Sequence, residues 1–275
     1  MKVALTGASG MLGHDLELAF RDDEVVGFSS SSLDVTRLDD VVRGIRDAAP
    51  DVVIHAAAFT DVDRCESEAE KAYLVNGIGT RNVVMACEEV GSPIIYVSSD
   101  YVFDGRKGSS YNEWDDVNPV NIYGLSKLMG ERFVSTLTNR FYIVRTSWLY
   151  GREGRNFVDT VIRLLSERDR LEVVNDQIGC PTYTVDLASK IRELNGKGYG
   201  IYHITNSGYC SWFDLAVAIA AKKGIRKDIV PVTSDQFVRP ARRPSYSVLG
   251  HTMLRLEGIE TPRTWEEALG EYLGQ

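Results

Sequence analysis

Little in this chain invites a metal, a membrane or a nucleic acid. Its 275 residues hold four cysteines, Cys65, Cys87, Cys180 and Cys210, and four histidines. Neither set has the close, repeated spacing of a ligand cluster, so no bound metal is expected. No apolar run is long enough to span a bilayer, no leader is expected before the first predicted strand, and no low-complexity tract interrupts the chain. Reduced thiols in a cytoplasmic protein follow as the expectation. Positive charge is also scarce: 31 Lys and Arg against 39 Asp and Glu leave a net charge of -8. A field of that sign repels polyanions, which argues against nucleic acid or an anionic membrane as the main partner. A phosphate-bearing ligand would need local help from backbone amides or a few arginines.

What is present is a composition ordinary for a globular protein, 44% hydrophobic and 25% charged, at a length that supports one large domain or a domain with a smaller partner. In the first half strands and helices alternate. Strands are predicted at 2–5, 24–28, 51–55, 94–97 and 141–145, and helices at 11–20, 39–48, 65–74, 77–89 and 123–137. The fold class is therefore α/β, a doubly wound parallel sheet of the Rossmann type. After Arg145 the rhythm loosens, with helices predicted near 157–167, 184–194, 212–223 and 265–272 and short strands at 171–174, 200–204 and 229–232. The expected organisation is a dinucleotide-binding domain over 1–146, to which segments near 175–205 and 228–235 return, and a smaller, mainly substrate-binding part over 147–275. No linker or internal repeat separates the halves. A ligand cleft is expected where they meet.

The first motif is the turn T-G-A-S-G-M-L-G, in which Gly7, Gly10 and Gly13 are spaced Gly-x-x-Gly-x-x-Gly between the first strand and the first helix. Small residues there let the backbone bend and approach a pyrophosphate, whose charge the helix N-terminus stabilises. The plain alternative is a tight strand-to-helix connection. In dinucleotide folds a carboxylate at the end of the second strand holds the ribose; here that point reads V-V-G-F-S-S-S-S. An uncharged end tolerates a 2'-phosphate, so NADPH is favoured, with NADH left open. Asp34, in S-S-L-D-V-T, suits an acceptor for the adenine amino group, its alternative being a helix-start or turn residue.

The second motif is a tyrosine and a lysine one helical turn apart, Tyr123 and Lys127 in N-I-Y-G-L-S-K. A free phenol titrates near ~10, so proton transfer at neutral pH calls for stabilising the phenolate by about 2 to 3 units. An ammonium four residues on, on the same helical face, can sit beside the phenol or a cofactor ribose. Ser99, in Y-V-S-S-D-Y-V-F, stands at the C-terminal edge of the sheet, where its hydroxyl would meet the substrate oxygen. Of the histidines, His55 ends the third strand and is expected to be packed and hydrogen-bonded rather than a base.

With these residues in place the chain resembles the extended short-chain dehydrogenase/reductase superfamily, and within it the dTDP-4-dehydrorhamnose reductases. The superfamily pattern includes G-A-S-G-M-L-G-H-D-L, P-D-V-V-I-H-A-A-A-F-T, V-N-G-I-G-T-R-N and Y-G-L-S-K-L-M-G-E; the narrower signal is R-T-S-W-L-Y-G, N-D-Q-I-G-C-P-T and R-P-A-R-R-P-S-Y-S-V-L. The resemblance implies Tyr123 as general acid, Lys127 as its activator and a ribose ligand, and Ser99 as their hydroxyl partner. It puts Gly7, Ser9, Gly10, Met11 and Leu12 at the pyrophosphate, Asp34 and Val35 at the adenine, and Ala56, Ala57, Ala58 and Thr60 along the cofactor. Asn76 would hold active-site backbone and waters. Ser99, Asp100 and Trp148 would meet the sugar, and Asn156, Gln177 and Arg243 the nucleotide and its diphosphate. Trp148 could instead fill the core between the halves, and Arg243 could belong to a solvated loop. Trp212 and Trp265 are read as helix-face core. Phe59 departs from the family, which commonly has a polar or hydrogen-bonding aromatic there.

The implied activity is NAD(P)H-dependent reduction of the C4 ketone of a nucleoside-diphosphate-linked 4-keto-6-deoxysugar, giving dTDP-L-rhamnose, with a homodimer left open as the assembly. Two alternatives share the fold: an epimerase or dehydratase that retains NAD, and a non-catalytic NADP-binding subunit resembling the regulatory partner of methionine adenosyltransferase.

Overall fold

Strands whose side chains are apolar both above and below must be covered on both faces, and this dictates a layered architecture. The computed structural model describes residues 1–274. Its first half runs β1 (Lys2–Thr6), α1 (Met11–Ala19), β2 (Glu24–Phe28), α2 (Leu38–Ala48), β3 (Val52–His55), α3 (Val62–Ser67), α4 (Ala69–Ala72), a π-helical segment (Tyr73–Gly79), α5 (Thr80–Val90), β4 (Ile94–Ser99), a 3-10 turn (Asp100–Val102), α6 (Ile122–Leu137) and β5 (Phe141–Thr146). The second half runs β6 (Leu149–Tyr150), α7 (Phe157–Glu167), β7 (Arg170–Val174), β8 (Ile178–Gly179), β9 (Thr182–Tyr183), α8 (Thr184–Glu193), β10 (Gly200–His203), β11 (Cys210–Ser211), α9 (Trp212–Lys223), β12 (Asp228–Val232), α10 (Thr252–Leu256) and α11 (Trp265–Tyr272).

One six-stranded sheet has the order β2-β1-β3-β4-β5-β10, every neighbouring pair parallel. The period of two sorts its side chains cleanly. Val3, Leu5, Ile54, Val97 and Val144 pack with Leu12 and Leu16 of α1 and Leu187 and Ile191 of α8. Ala4, Val53, Tyr96 and Ile143 pack on the other face with Val41 and Ile45 of α2, Val83 and Val84 of α5 and Val134 of α6. The strand order reverses between β1 and β3, so the loops leaving them diverge and open a crevice at their C-terminal ends.

A separate core is built from α7, α9, α11 and the short strands, with Val158, Leu165, Leu215, Ile219, Trp265 and Leu269 at its centre. Two segments of the second half go different ways. The strand at 200–204 joins the main sheet as β10 beside β5, and Ile204 N donates to Arg145 O at 3.0 Å. The segment near 228–235, expected to return to the dinucleotide half, does not: β12 pairs in parallel with β7. The main-sheet edge beyond β5 is already taken by β10, and Ile229 packs instead into the core that α9 shares with β7. All four cysteines are buried and free. No helix among the described residues is long and apolar enough to cross a membrane.

Candidate active site

The C-terminal ends of β1, β3, β4 and β5 open onto one cleft of about 620 Å³. The glycine turn forms one wall. Gly7 has φ +80°, in the left-handed region, and a Cβ there would lie 2.7 Å from Ala57 N. A Cβ on Gly13 would collide with the carbonyls of Gly7 and Ala8. Glycine at both positions thus keeps β1, β3 and α1 in close approach. α1 begins at Gly10 with no side-chain cap and no acidic residue in its first turn. Its first amides therefore have no side-chain acceptor and form a cradle suited to a phosphate.

Gly7, Ser9, Gly10, Met11, Leu12, Asp34, Val35, Ala56, Ala57, Ala58 and Thr60 all line this cleft, as do Ser99, Asp100, Tyr123, Lys127 and Trp148. At the end of β2 the wall is made by Ser29 and Ser30, hydroxyls without a carboxylate. Asp34 is also a turn residue: its Oδ1 accepts from Thr36 N at 3.0 Å and from the Thr36 hydroxyl at 2.8 Å.

Asn76 lies outside the cleft wall and acts through others. It is fully buried in the π-helical segment, where Nδ2 donates to Phe59 O at 3.0 Å and to Ser126 Oγ at 2.9 Å, and Oδ1 accepts from Phe59 N at 2.7 Å. Ser126 in turn donates to Tyr123 O at 2.7 Å. One amide thereby ties the strand-three loop to the helix that carries Tyr123.

The lysine is held differently from the sequence expectation. Lys127 is 2% exposed, its Nζ donates to Val97 O at 2.7 Å, and it lies 4.3 Å from the centre of the Tyr96 ring. Burial lowers it to about 7, with Glu131 four residues on pulling the other way. Tyr123 is pushed above its ordinary value, chiefly by burial, while a hydrogen bond to Ser99 favours the phenolate. No cation contributes to the balance, so desolvation favours the neutral phenol over the phenolate. Beneath the pair, Glu131 accepts from Arg145 Nη2 at 2.7 Å and from Ser98 at 2.5 Å, with both charged side chains nearly inaccessible. His55 is buried as expected, bridging Thr6 Oγ1 at 2.6 Å and Thr80 Oγ1 at 3.1 Å.

On the opposite wall Trp148 has φ +48°, strained for a bulky residue, and stacks on Trp212 with centroids 3.5 Å apart and planes 7° from parallel. Gly179, from N-D-Q-I-G-C-P-T, leaves room for the indole: a Cβ there would be 2.6 Å from Trp148 Cε2. Trp212 also lines the cleft, which corrects its reading as helix-face core alone. A tryptophan at the first position of a capped helix, next to Ser211, was the signal available. Arg155, exposed in the loop before α7, is the one arginine among the described cleft-lining residues and was not anticipated.

Three expected substrate residues do not reach the cleft. Asn156 is the N-cap of α7: Oδ1 accepts from Asp159 N at 2.9 Å and Nδ2 donates to Gly151 O at 2.9 Å, so its amide is consumed locally. Gln177 donates to Ser234 Oγ at 2.8 Å, tying the loop after β7 to the one after β12. Arg243 pairs with Asp63 at 2.7 Å and donates to Ala241 O, so its charge is already compensated. Asp100 lines the cleft, but both of its oxygens hold serine hydroxyls, Ser99 at 3.0 Å and Ser247 at 2.6 Å.

A crevice at the strand-order reversal, a glycine cradle before a helix and a buried tyrosine-lysine pair define a dinucleotide-dependent short-chain dehydrogenase/reductase fold. The family model described as RmlD substrate binding domain matches residues 1–275, and the chain belongs to that family. The spore coat polysaccharide biosynthesis protein SpsK of Bacillus subtilis (strain 168) is 42% identical over 274 residues, 99% of this chain and 96% of that protein. A solved dTDP-4-dehydrorhamnose reductase from Clostridium acetobutylicum superposes with a TM-score of 0.97 at 44% identity, covering 99% of this chain and 98% of the other. Another from Bacillus anthracis, in complex with NADP, does so with a TM-score of 0.96 at 43% identity, covering 99% of both chains.

Proposed function

We propose that this protein reduces the C4 ketone of dTDP-4-dehydrorhamnose to dTDP-L-rhamnose with NADPH. The observation that carries the reading is a single cleft holding the glycine cradle, the Tyr123, Lys127 and Ser99 side chains and the Trp148 wall together. Support comes also from relatives named for this reduction at 40% identity or more over nearly their whole length, and from one of them holding NADP.

The uncapped N-terminus of α1 and Gly7, Ser9, Gly10, Met11 and Leu12 would hold the pyrophosphate, and the hydroxyls of Ser29 and Ser30 would accept a 2'-phosphate that a carboxylate would repel. Asp34 and Val35 bound the adenine, and Ala56 to Ala58 with Thr60 the length of the dinucleotide. The bound nicotinamide supplies the hydride. Tyr123, kept neutral by burial, gives its proton to the alkoxide oxygen. Lys127, freed from Val97 O, stabilises the phenolate left behind and the ribose hydroxyls. Ser99 orients the ketone oxygen, Trp148 bounds the sugar, and Arg155 is the cation available to a diphosphate.

The test mixes the protein with dTDP-4-dehydrorhamnose and reduced cofactor and follows nicotinamide absorbance. Turnover with NADPH is expected; absence of turnover with both NADPH and NADH would overturn the reading. An epimerase or dehydratase would instead purify with dinucleotide bound and consume none.

A further inference from the structure

Asp100 is a buried carboxylate without a cation. It is 2% exposed, and its two oxygens accept from Ser99 Oγ at 3.0 Å and Ser247 Oγ at 2.6 Å. The titratable groups facing it are Tyr123 on α6, Tyr101 in its own turn and Cys180 between β8 and β9. None is cationic. The Arg243 guanidinium faces Asp63 and Tyr101 instead. A buried carboxylate with no cation beside it tends to neutralise, and burial raises Asp100 to about 7 against the opposing hydrogen bonds of Ser247, Ser99 and the backbone amides of Asp100 and Tyr101.

A serine hydroxyl has one proton to donate. While Asp100 is ionised, Ser99 directs that proton at the carboxylate, and its oxygen accepts from Tyr101 N at 3.2 Å. No proton is left for a substrate oxygen. Once Asp100 is protonated, the carboxyl O–H can donate to Ser99 Oγ, and the serine hydroxyl turns into the cleft as a donor.

We infer that Asp100 is a positioning residue whose protonation sets the direction of the Ser99 hydrogen bond, the neutral form being the one that lets Ser99 polarise the ketone. The inference rests on the reductase reading above. It also gives a purpose to Ser247 in the late R-R-P-S-Y-S-V-L stretch: this serine is not part of the cleft wall, yet it holds the ionised form of Asp100.

The test joins two titrations. The infrared carbonyl stretch of protonated Asp100, identified by its absence in Asp100→Asn, is followed against pH in wild type and Ser247→Ala. The alkaline fall of kcat/KM is measured in the same two proteins. Removing the Ser247 hydrogen bond takes support from the charged form, so the Asp100 midpoint rises by about one pH unit. The fall in kcat/KM is expected to rise with it. A kcat/KM limb that stays in place while the infrared midpoint moves overturns the inference and assigns the limb to another group, Lys127 foremost. An infrared midpoint unchanged in Ser247→Ala overturns it equally. Should Ser247→Ala fail to fold, Asp100→Asn decides: its amide does not titrate, so an alkaline limb identical to wild type overturns the inference. Loss of all turnover in wild type would strike the reductase reading instead, leaving the infrared titration readable.

Discussion

Trp148 and Trp212 form a parallel indole stack, 3.5 Å between centroids, at the edge of a cleft whose far side is the tyrosine-bearing helix. The strained backbone of Trp148 is tolerated because the stack and the missing Cβ of Gly179 leave its ring a single place to lie.

Removing the stack loosens that wall. Trp212→Leu forfeits about 0.5 to 1.5 kcal/mol of aromatic pairing, and kcat/KM for the sugar nucleotide is expected to fall about two- to tenfold. The loss should appear in KM, with the Kd for NADPH unchanged, as measured by fluorescence titration. An equal weakening of NADPH binding would place Trp212 against the cofactor instead.

Tyr123→Phe removes the proposed proton donor and no buried charge. Its kcat is expected to fall by about 10² to 10⁴, with NADPH binding and melting temperature near wild type. Stopped-flow measurement of nicotinamide oxidation checks it, and a rate within threefold of wild type would refute the assigned role.

The Arg145–Glu131 pair predicts a stability asymmetry. Arg145→Met strands a carboxylate that is 4% exposed and costs about 3 to 5 kcal/mol. The double variant Arg145→Met with Glu131→Leu removes both charges and should recover much of that loss in urea unfolding. A double variant as unstable as the single one would mean packing, not the orphaned charge, dominates.

Stability should also depend on acid through three buried histidines. Burial holds His55 down to about 3 and His251 to about 4, and takes His203 well below its ordinary value. The unfolded chain takes up protons on these groups near 6.5 while the folded protein does not. Their contribution is thus full above that pH and drains as pH falls through 6.5 toward 4 and 3. Melting temperature should drop over that interval, and His251→Gln should make the drop shallower. A flat profile between pH 7 and 5 contradicts this.

The parts of the site legible in sequence are those whose chemistry is set by backbone geometry or by helical spacing. A Gly-x-x-Gly-x-x-Gly turn between a strand and a helix fixes a tight backbone bend whatever it binds, and Tyr123 and Lys127 share a helix face wherever that helix sits. Asn156 and Gln177 lie outside the cleft wall: an amide serves a cap or a loop tie as readily as a ligand, and only its partners distinguish these. The Arg243 pairing was illegible for a like reason: Asp63, its counter-charge, is 180 residues away in the chain. Trp212 was missed because helical periodicity reports which face is apolar, not whether that face looks into a core or a cleft. Strand pairing beyond residue 146 was partly illegible because short strands at 200–203 and 228–232 look alike until the free edges compete for them.

The return of β10 to the sheet carries a consequence for how the molecule can be taken apart. Tyr142 to Arg145 of β5 find their outer hydrogen-bonding partners only in residues 200–203, contributed long after the chain has left to build its second core. A fragment ending near residue 146 would carry a raw, apolar strand edge and an uncovered sheet face where α8 belongs. The two halves are laced rather than tethered, so truncation at their seam should yield an insoluble product instead of a free-standing nucleotide binder.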